Sequence, residues 1–227
     1  MIRVYPAPEP FDFDERVRQP GQQLLDELTG HTVTRPGPKR ADAGRYATVH
    51  DIPTARLTDY WTRCLDDLHE QYAGVCAYSA LHINEVIGAR TVDHWLPKSR
   101  HQHLAYEWSN YRLASALMNT RKGDREDLLD PFTVGDDWFS LSCVTGELTP
   151  NPTLDPDTQA QVQRTIDALD LNDRRCCDAR TRYVTDYLNG EVTLRFVMRN
   201  APHVASELIR QRWLREEDQP YGIAEEE

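Results

Sequence analysis

Asp93 and His94 stand side by side in Val92-Asp93-His94-Trp95-Leu96-Pro97-Lys98-Ser99. Asn110 lies in Tyr106-Glu107-Trp108-Ser109-Asn110-Tyr111-Arg112-Leu113-Ala114, and Asn119 follows nine residues later in Met118-Asn119-Thr120-Arg121-Lys122-Gly123-Asp124. A hard divalent cation takes oxygen ligands, and Asp93 and Asn119 both supply them. His94 is then left as a base, because an imidazole of ordinary pKa near 6.5 is neutral enough at physiological pH to take a proton from water. Arg121 and Lys122 are placed to clamp a phosphate. The chemistry this points to is metal-assisted phosphodiester hydrolysis, with the cation stabilising charge on the phosphate and on the leaving 3′ oxygen.

The elements that must position these residues are legible from periodicity. Leu57, Tyr60, Trp61, Cys64, Leu65, Leu68 and Tyr72 recur at helical spacing, which predicts an amphipathic helix over 55–73. A strand is expected within 75–87, and a second extended piece at 91–95 stopped by Pro97. A polar, His-rich loop over 98–109 leads into extended residues 111–114 and a helix over 115–124. On a strand Asp93 and His94 point to opposite faces, and twist at the strand end is the device that lets both reach one site. Before this core, prolines from Pro6 to Pro53 allow only a short helix after Pro20, ended by Gly30. After it, helices are expected from Asp155, from Asn172 or Asp173 to Leu188, and over 191–199 and 203–215, with a frayed acidic tail at Glu225-Glu226-Glu227. The chain divides into a Pro-rich extension (1–54), a core with its bracing helix (55–150) and a C-terminal helical region (151–227).

Within that order, strand, loop, strand, helix, the Asp-His pair, the Trp-x-Asn and the Asn-x-x-Lys resemble the HNH, or ββα-metal, endonuclease superfamily. The resemblance implies an α+β fold with a ββα-metal core, Asp93 as first metal ligand, His94 as general base, Asn110 as the residue that tethers the loop, Asn119 as second ligand and Lys122 near the phosphates. It implies Mg²⁺ as the cation, with Mn²⁺ the alternative, and products with a 5′-phosphate and a 3′-hydroxyl. Members often carry two Cys-x-x-Cys pairs around the site. Here Cys76, Ser79, Ser115 and Met118 fall at those places, so no structural zinc is expected. Pro8-Glu9-Pro10, Val17-Arg18-Gln19-Pro20-Gly21 and Leu129-Asp130-Pro131-Phe132 extend the likeness to bacterial HNH proteins of Septu and retron-associated antiphage systems, which implies a role in defence and an ATPase as partner.

Composition sets the bounds. With 227 residues, 39% of them hydrophobic, and no long apolar run, an integral membrane protein is excluded. Nothing at the start resembles a secretory or transit signal, so a cytoplasmic location is expected. Five cysteines, an odd number without Cys-x-x-Cys spacing, argue against a disulfide framework. The net charge of −11 opposes diffuse binding to a polyanion. Residues 93–125 nevertheless carry +3, leaving −14 on the rest. Lys98, Arg100, Arg112, Arg121 and Lys122 are therefore the expected contacts to nucleic acid, with DNA favoured and RNA the alternative. Two other readings stand beside this one: an assembly module that docks a partner through its C-terminal helices and keeps a vestigial site, and a metal-dependent hydrolase of another substrate class.

Overall fold

The computed structural model describes residues 1–34, 37–84 and 89–219. The acidic tail expected to fray, Glu225 to Glu227, lies outside the described residues. A π-helical turn, Asp14–Arg18, runs directly into α1 (Gln19–Leu28). The N-terminal helical stretch thus starts before Pro20, which sits in the first turn of α1, where its missing N–H costs nothing. Leu24, Leu25 and Leu28 are buried, as their shared face predicts. Gly21 packs flat on the Tyr106 ring, where an added Cβ would stand 2.1 Å from Cγ.

The helix expected over 55–73 is instead three pieces: 3-10 turns at Thr54–Arg56 and Tyr60–Cys64, then α2 (Leu65–Gln71). The break falls where Leu57 is extended and buried. The Thr58 carbonyl, which an unbroken helix would commit to its own ladder, accepts from the Tyr106 hydroxyl at 3.0 Å. Leu57, Trp61, Cys64 and Leu68 still reach the core, so the apolar pattern is satisfied without one continuous helix. The strand expected within 75–87 is also not formed over its described part. Val75 makes a single bridge to His82, and the turn between them docks through the Ala77 N–H on the Leu113 carbonyl at 2.9 Å. Its remaining positions, 85–87, lie outside the described residues.

The centre follows the expected order closely. Strands β1 (Arg90–His94) and β2 (Tyr111–Ser115) pair antiparallel, with Val92 opposite Leu113, Asp93 opposite Arg112 and His94 opposite Tyr111. Helix α3 (Ala116–Lys122) follows without a linker: the Ser115 hydroxyl accepts from the Met118 N–H and Gly123 ends the helix. A small hairpin of β3 (Phe139–Leu141) and β4 (Leu148–Pro150) forms a second sheet that the sequence did not announce. The C-terminal region contains α4 (Pro156–Ala168), capped by Asp155, and α5 (Arg174–Leu188), capped by Asp173. It ends in α6 (Leu194–Asn200) and α7 (Pro202–Arg210), the latter shorter than its expected span to 215. Fully buried residues from all three segments, among them Phe13, Leu68, Tyr111, Val134, Val162, Tyr187 and Leu208, belong to one apolar cluster. The fold is α+β, and among the described residues no helix is long and apolar enough to cross a membrane.

Candidate functional site

Alternation along β1 separates the two chemical faces of the β1–β2 ribbon. Val92 and His94 face Leu113 and Tyr111 and the core. Thr91 and Asp93 face α3, meeting Asn119 and Lys122 respectively. Both Asp93 and His94 lie inside the paired strand, so the twist expected to bring them together at a strand end does not act here.

His94 is buried between aromatic edges, with its ring centroid 4.9 Å from Trp61 and 5.2 Å from Tyr111. Nε2 lies 2.9 Å from the Ala105 carbonyl, which also accepts the Tyr111 hydroxyl at 2.8 Å. A carbonyl only accepts, so Nε2 carries the proton and Nδ1 carries the lone pair. Among the described residues no hydrogen bond engages Nδ1. Desolvation, together with the nearby positive charge of Lys98, holds the imidazole down at about 3, so His94 is neutral at physiological pH.

The loop that supplies the Ala105 carbonyl is pinned by Asn110. Its Oδ1 accepts from the Leu96 N–H at 2.8 Å, while Nδ2 donates to the carbonyls of Leu96 at 3.0 Å and Leu104 at 3.2 Å. This is the tethering role the sequence expectation gave it. The amide closes residues 96–110 into a fixed loop and so sets the height of Ala105 under the histidine.

Asp93 is engaged on both oxygens. The Tyr78 hydroxyl donates to Oδ2 at 2.5 Å, and Lys122 Nζ lies 3.3 Å from Oδ1 while donating to the His94 carbonyl at 2.7 Å. Desolvation pushes the Asp93 carboxyl up, against the opposing pull of Lys122 and Tyr78. Burial and the adjacent carboxylate drive the Tyr78 phenol well above its ordinary value, so it remains a donor. Asn119 turns Nδ2 to the Thr91 hydroxyl at 3.0 Å.

A divalent cation on Asp93 and Asn119 does not fit this arrangement. The carboxylate is already saturated, and among the described residues no three His, Cys, Asp or Glu side chains converge on a common point. The places of the missing thiolates do converge. Cys76 accepts the Ser115 N–H at 3.4 Å, and Met118 is buried in the next turn of α3. One thiol beside a hydroxyl and a thioether is a poor donor set for zinc.

The basic residues divide sharply. Lys122 does not reach toward phosphate: its side chain is 0% exposed, because it neutralises Asp93. Arg112 is equally committed, with both Nε and a terminal nitrogen on the Asp130 carboxylate at 2.9 and 2.7 Å and its plane 3.4 Å over the Phe132 ring. Arg121 ties α3 to the start of α5 through the Asp173 carboxylate and the Leu169 and Asp170 carbonyls. Of the five expected nucleic-acid contacts, only Lys98 and Arg100 reach the surface. Lys98 lies 5.0 Å over the Trp61 ring, beside His94, and Arg100 is 64% exposed with Glu126 at 3.4 Å.

Three participants escaped the sequence reading. Tyr78 sits in a turn read as strand, Trp61 reads as a core residue, and the Ala105 carbonyl has no side-chain signature at all. Tyr111, directly after Asn110, was legible only as a strand residue. No family model matches the chain, and no curated protein matches it.

Proposed function

We propose that the β1–β2–α3 unit is the hydrolytic centre of an HNH-type endonuclease acting on nucleic acid, with DNA the favoured substrate. The observation that carries this reading is the fixed tautomer of His94. Its Nε2–H is spent on Ala105, its Nδ1 lone pair is left free, and Asn110 holds the loop that makes this so. In the proposed reaction Nδ1 takes a proton from water, the water oxygen bonds to phosphorus, and the P–O3′ bond breaks. The products are a 5′-phosphate and, after protonation of the leaving oxygen, a 3′-hydroxyl. A phosphate beside the ring opposes the desolvation that holds His94 low and raises its basicity toward what proton transfer requires. Lys98 and Arg100, at the mouth of the loop, are the residues placed to hold the flanking backbone.

A divalent cation, Mg²⁺ before Mn²⁺, belongs to this proposal as a requirement to be tested, since Asp93 as it stands does not admit one. A role in defence against foreign DNA, and an ATPase partner that delivers substrate, belong to it through the sequence resemblance. The net charge of −11 accords with a need for delivery.

The second reading is an assembly module with a vestigial site. It is favoured by the closure of Asp93 and by the commitment of Arg112, Arg121 and Lys122 to internal partners. The test is incubation of the full chain with supercoiled plasmid, single-stranded DNA and tRNA in Mg²⁺, in Mn²⁺ and in EDTA. Cleavage with 5′-phosphate ends supports the nuclease. Intact substrates in every condition, with and without a candidate ATPase, favour the module.

A further inference from the structure

The Asp93 carboxylate already holds a cation, and it is one this chain uses sparingly. Of 26 basic residues the lysines are only Lys39, Lys98 and Lys122. Lys39 is exposed and Lys98 half-buried, whereas the Lys122 side chain has no exposure. An arginine facing a carboxylate forms a two-pronged contact that holds its geometry, as Arg112 does on Asp130. An ammonium is a compact point charge on a flexible stem, and here it makes one contact to Oδ1 and one to the His94 carbonyl. The tightest hydrogen bond on Asp93 is the neutral one from Tyr78.

We propose that Lys122 is a displaceable lock: it occupies the cation position on Asp93 and closes the site until a hard divalent cation competes it away and the ammonium moves toward solvent. This rests on the nuclease reading for its purpose, since a closed centre protects the cell's own nucleic acid, but the exchange itself stands on the geometry alone. It also accounts for the misfit at Asp93. The carboxylate is saturated because a side chain of the same helix that carries Asn119 supplies the charge.

A chain with three lysines allows a direct reading. The full-length protein is labelled with an amine-acetylating reagent in EDTA and in millimolar Mn²⁺, and the rate at each lysine is followed by mass spectrometry. Binding of Mn²⁺ is measured by calorimetry on wild type and Lys122→Gln. The expected result is steady labelling of Lys39 in both conditions and protection of Lys122 in EDTA. Mn²⁺ then raises the rate at Lys122 at least tenfold, and Lys122→Gln binds Mn²⁺ at least tenfold more tightly than wild type. The proposal is overturned if Lys122 stays protected at saturating Mn²⁺, if wild type binds no Mn²⁺, or if a folded Lys122→Gln binds it no better. Should Lys122→Gln fail to fold, the wild-type labelling decides alone. Exposure of Lys122 by Mn²⁺ without cleavage of any nucleic acid keeps the lock and overturns the nuclease. Cleavage in EDTA with Lys122 still protected does the reverse.

Discussion

Replacing Lys122 with Met keeps the volume of the stem and removes the charge that faces Asp93. At 3.3 Å and an effective dielectric of about 20, the pair attracts by about 5 kcal/mol before desolvation is subtracted. Breaking a buried pair from one side costs about 3–5 kcal/mol, because the remaining charge stays in the interior. Asp93→Asn leaves the ammonium stranded and is expected to cost a similar amount. The double variant, Asp93→Asn with Lys122→Met, strands neither charge, so its cost falls short of the sum of the singles by about 2–4 kcal/mol. Urea denaturation at pH 7, followed by tryptophan fluorescence and circular dichroism, measures all four corners of the cycle. Because both side chains are shielded from solvent, the coupling is expected to persist from 0.1 to 1 M NaCl. Additivity of the two substitutions to within about 0.5 kcal/mol would refute the reasoning, since groups so placed cannot be energetically independent.

Three further outcomes follow from the same geometry. Asn110→Ala removes the hydrogen bonds to Leu96 and Leu104 and is expected to cost about 2–4 kcal/mol; a loss below about 1 kcal/mol in urea denaturation would mean the loop is held by something else. Gly21→Ala forces a methyl into the Tyr106 ring, and a cost of about 1–3 kcal/mol is expected from overpacking, checked by the melting temperature against wild type. Burial holds His203 well below its ordinary value, so its contribution to stability is full above the unfolded value of about 6.5 and is lost as pH falls toward the folded one. His203→Gln is therefore expected to flatten the fall of stability between pH 6 and 4 by up to about 1.4 kcal/mol per pH unit. Parallel slopes for the two proteins would contradict it.

The elements nearest the chemistry were the most legible. Alternating residues 91–94 and 111–114, with Pro97 and Gly123 as stops, fixed β1, β2 and α3 to within a residue or two. Asn110 could be assigned its loop because a side-chain amide can bind two backbone groups at once. The long periodic stretch over 55–73 misled, since a tertiary hydrogen bond from Tyr106 to the Thr58 carbonyl outweighs helix continuity and periodicity contains no record of it. Strands as short as Phe139–Leu141 carry too few residues for alternation to show. The basic residues were misjudged for a physical reason. Arg112, Arg121 and Lys122 read as surface charge because charged side chains are seldom buried, and their carboxylate partners Asp130, Asp173 and Asp93 lie 18, 52 and 29 positions away in sequence. Sequence spacing identified which groups could do chemistry, but only the packing decided which of them are free to do it.

The most direct test of the central claim is single-turnover cleavage of a 5′-labelled DNA by wild type and His94→Ala, across Mg²⁺, Mn²⁺ and EDTA, with folding of the variant verified by circular dichroism. The account predicts that wild type cleaves, leaving 5′-phosphate ends, and that a folded His94→Ala is slower by at least a hundredfold. Equal rates for the two proteins, or no cleavage by wild type in any condition, would contradict it.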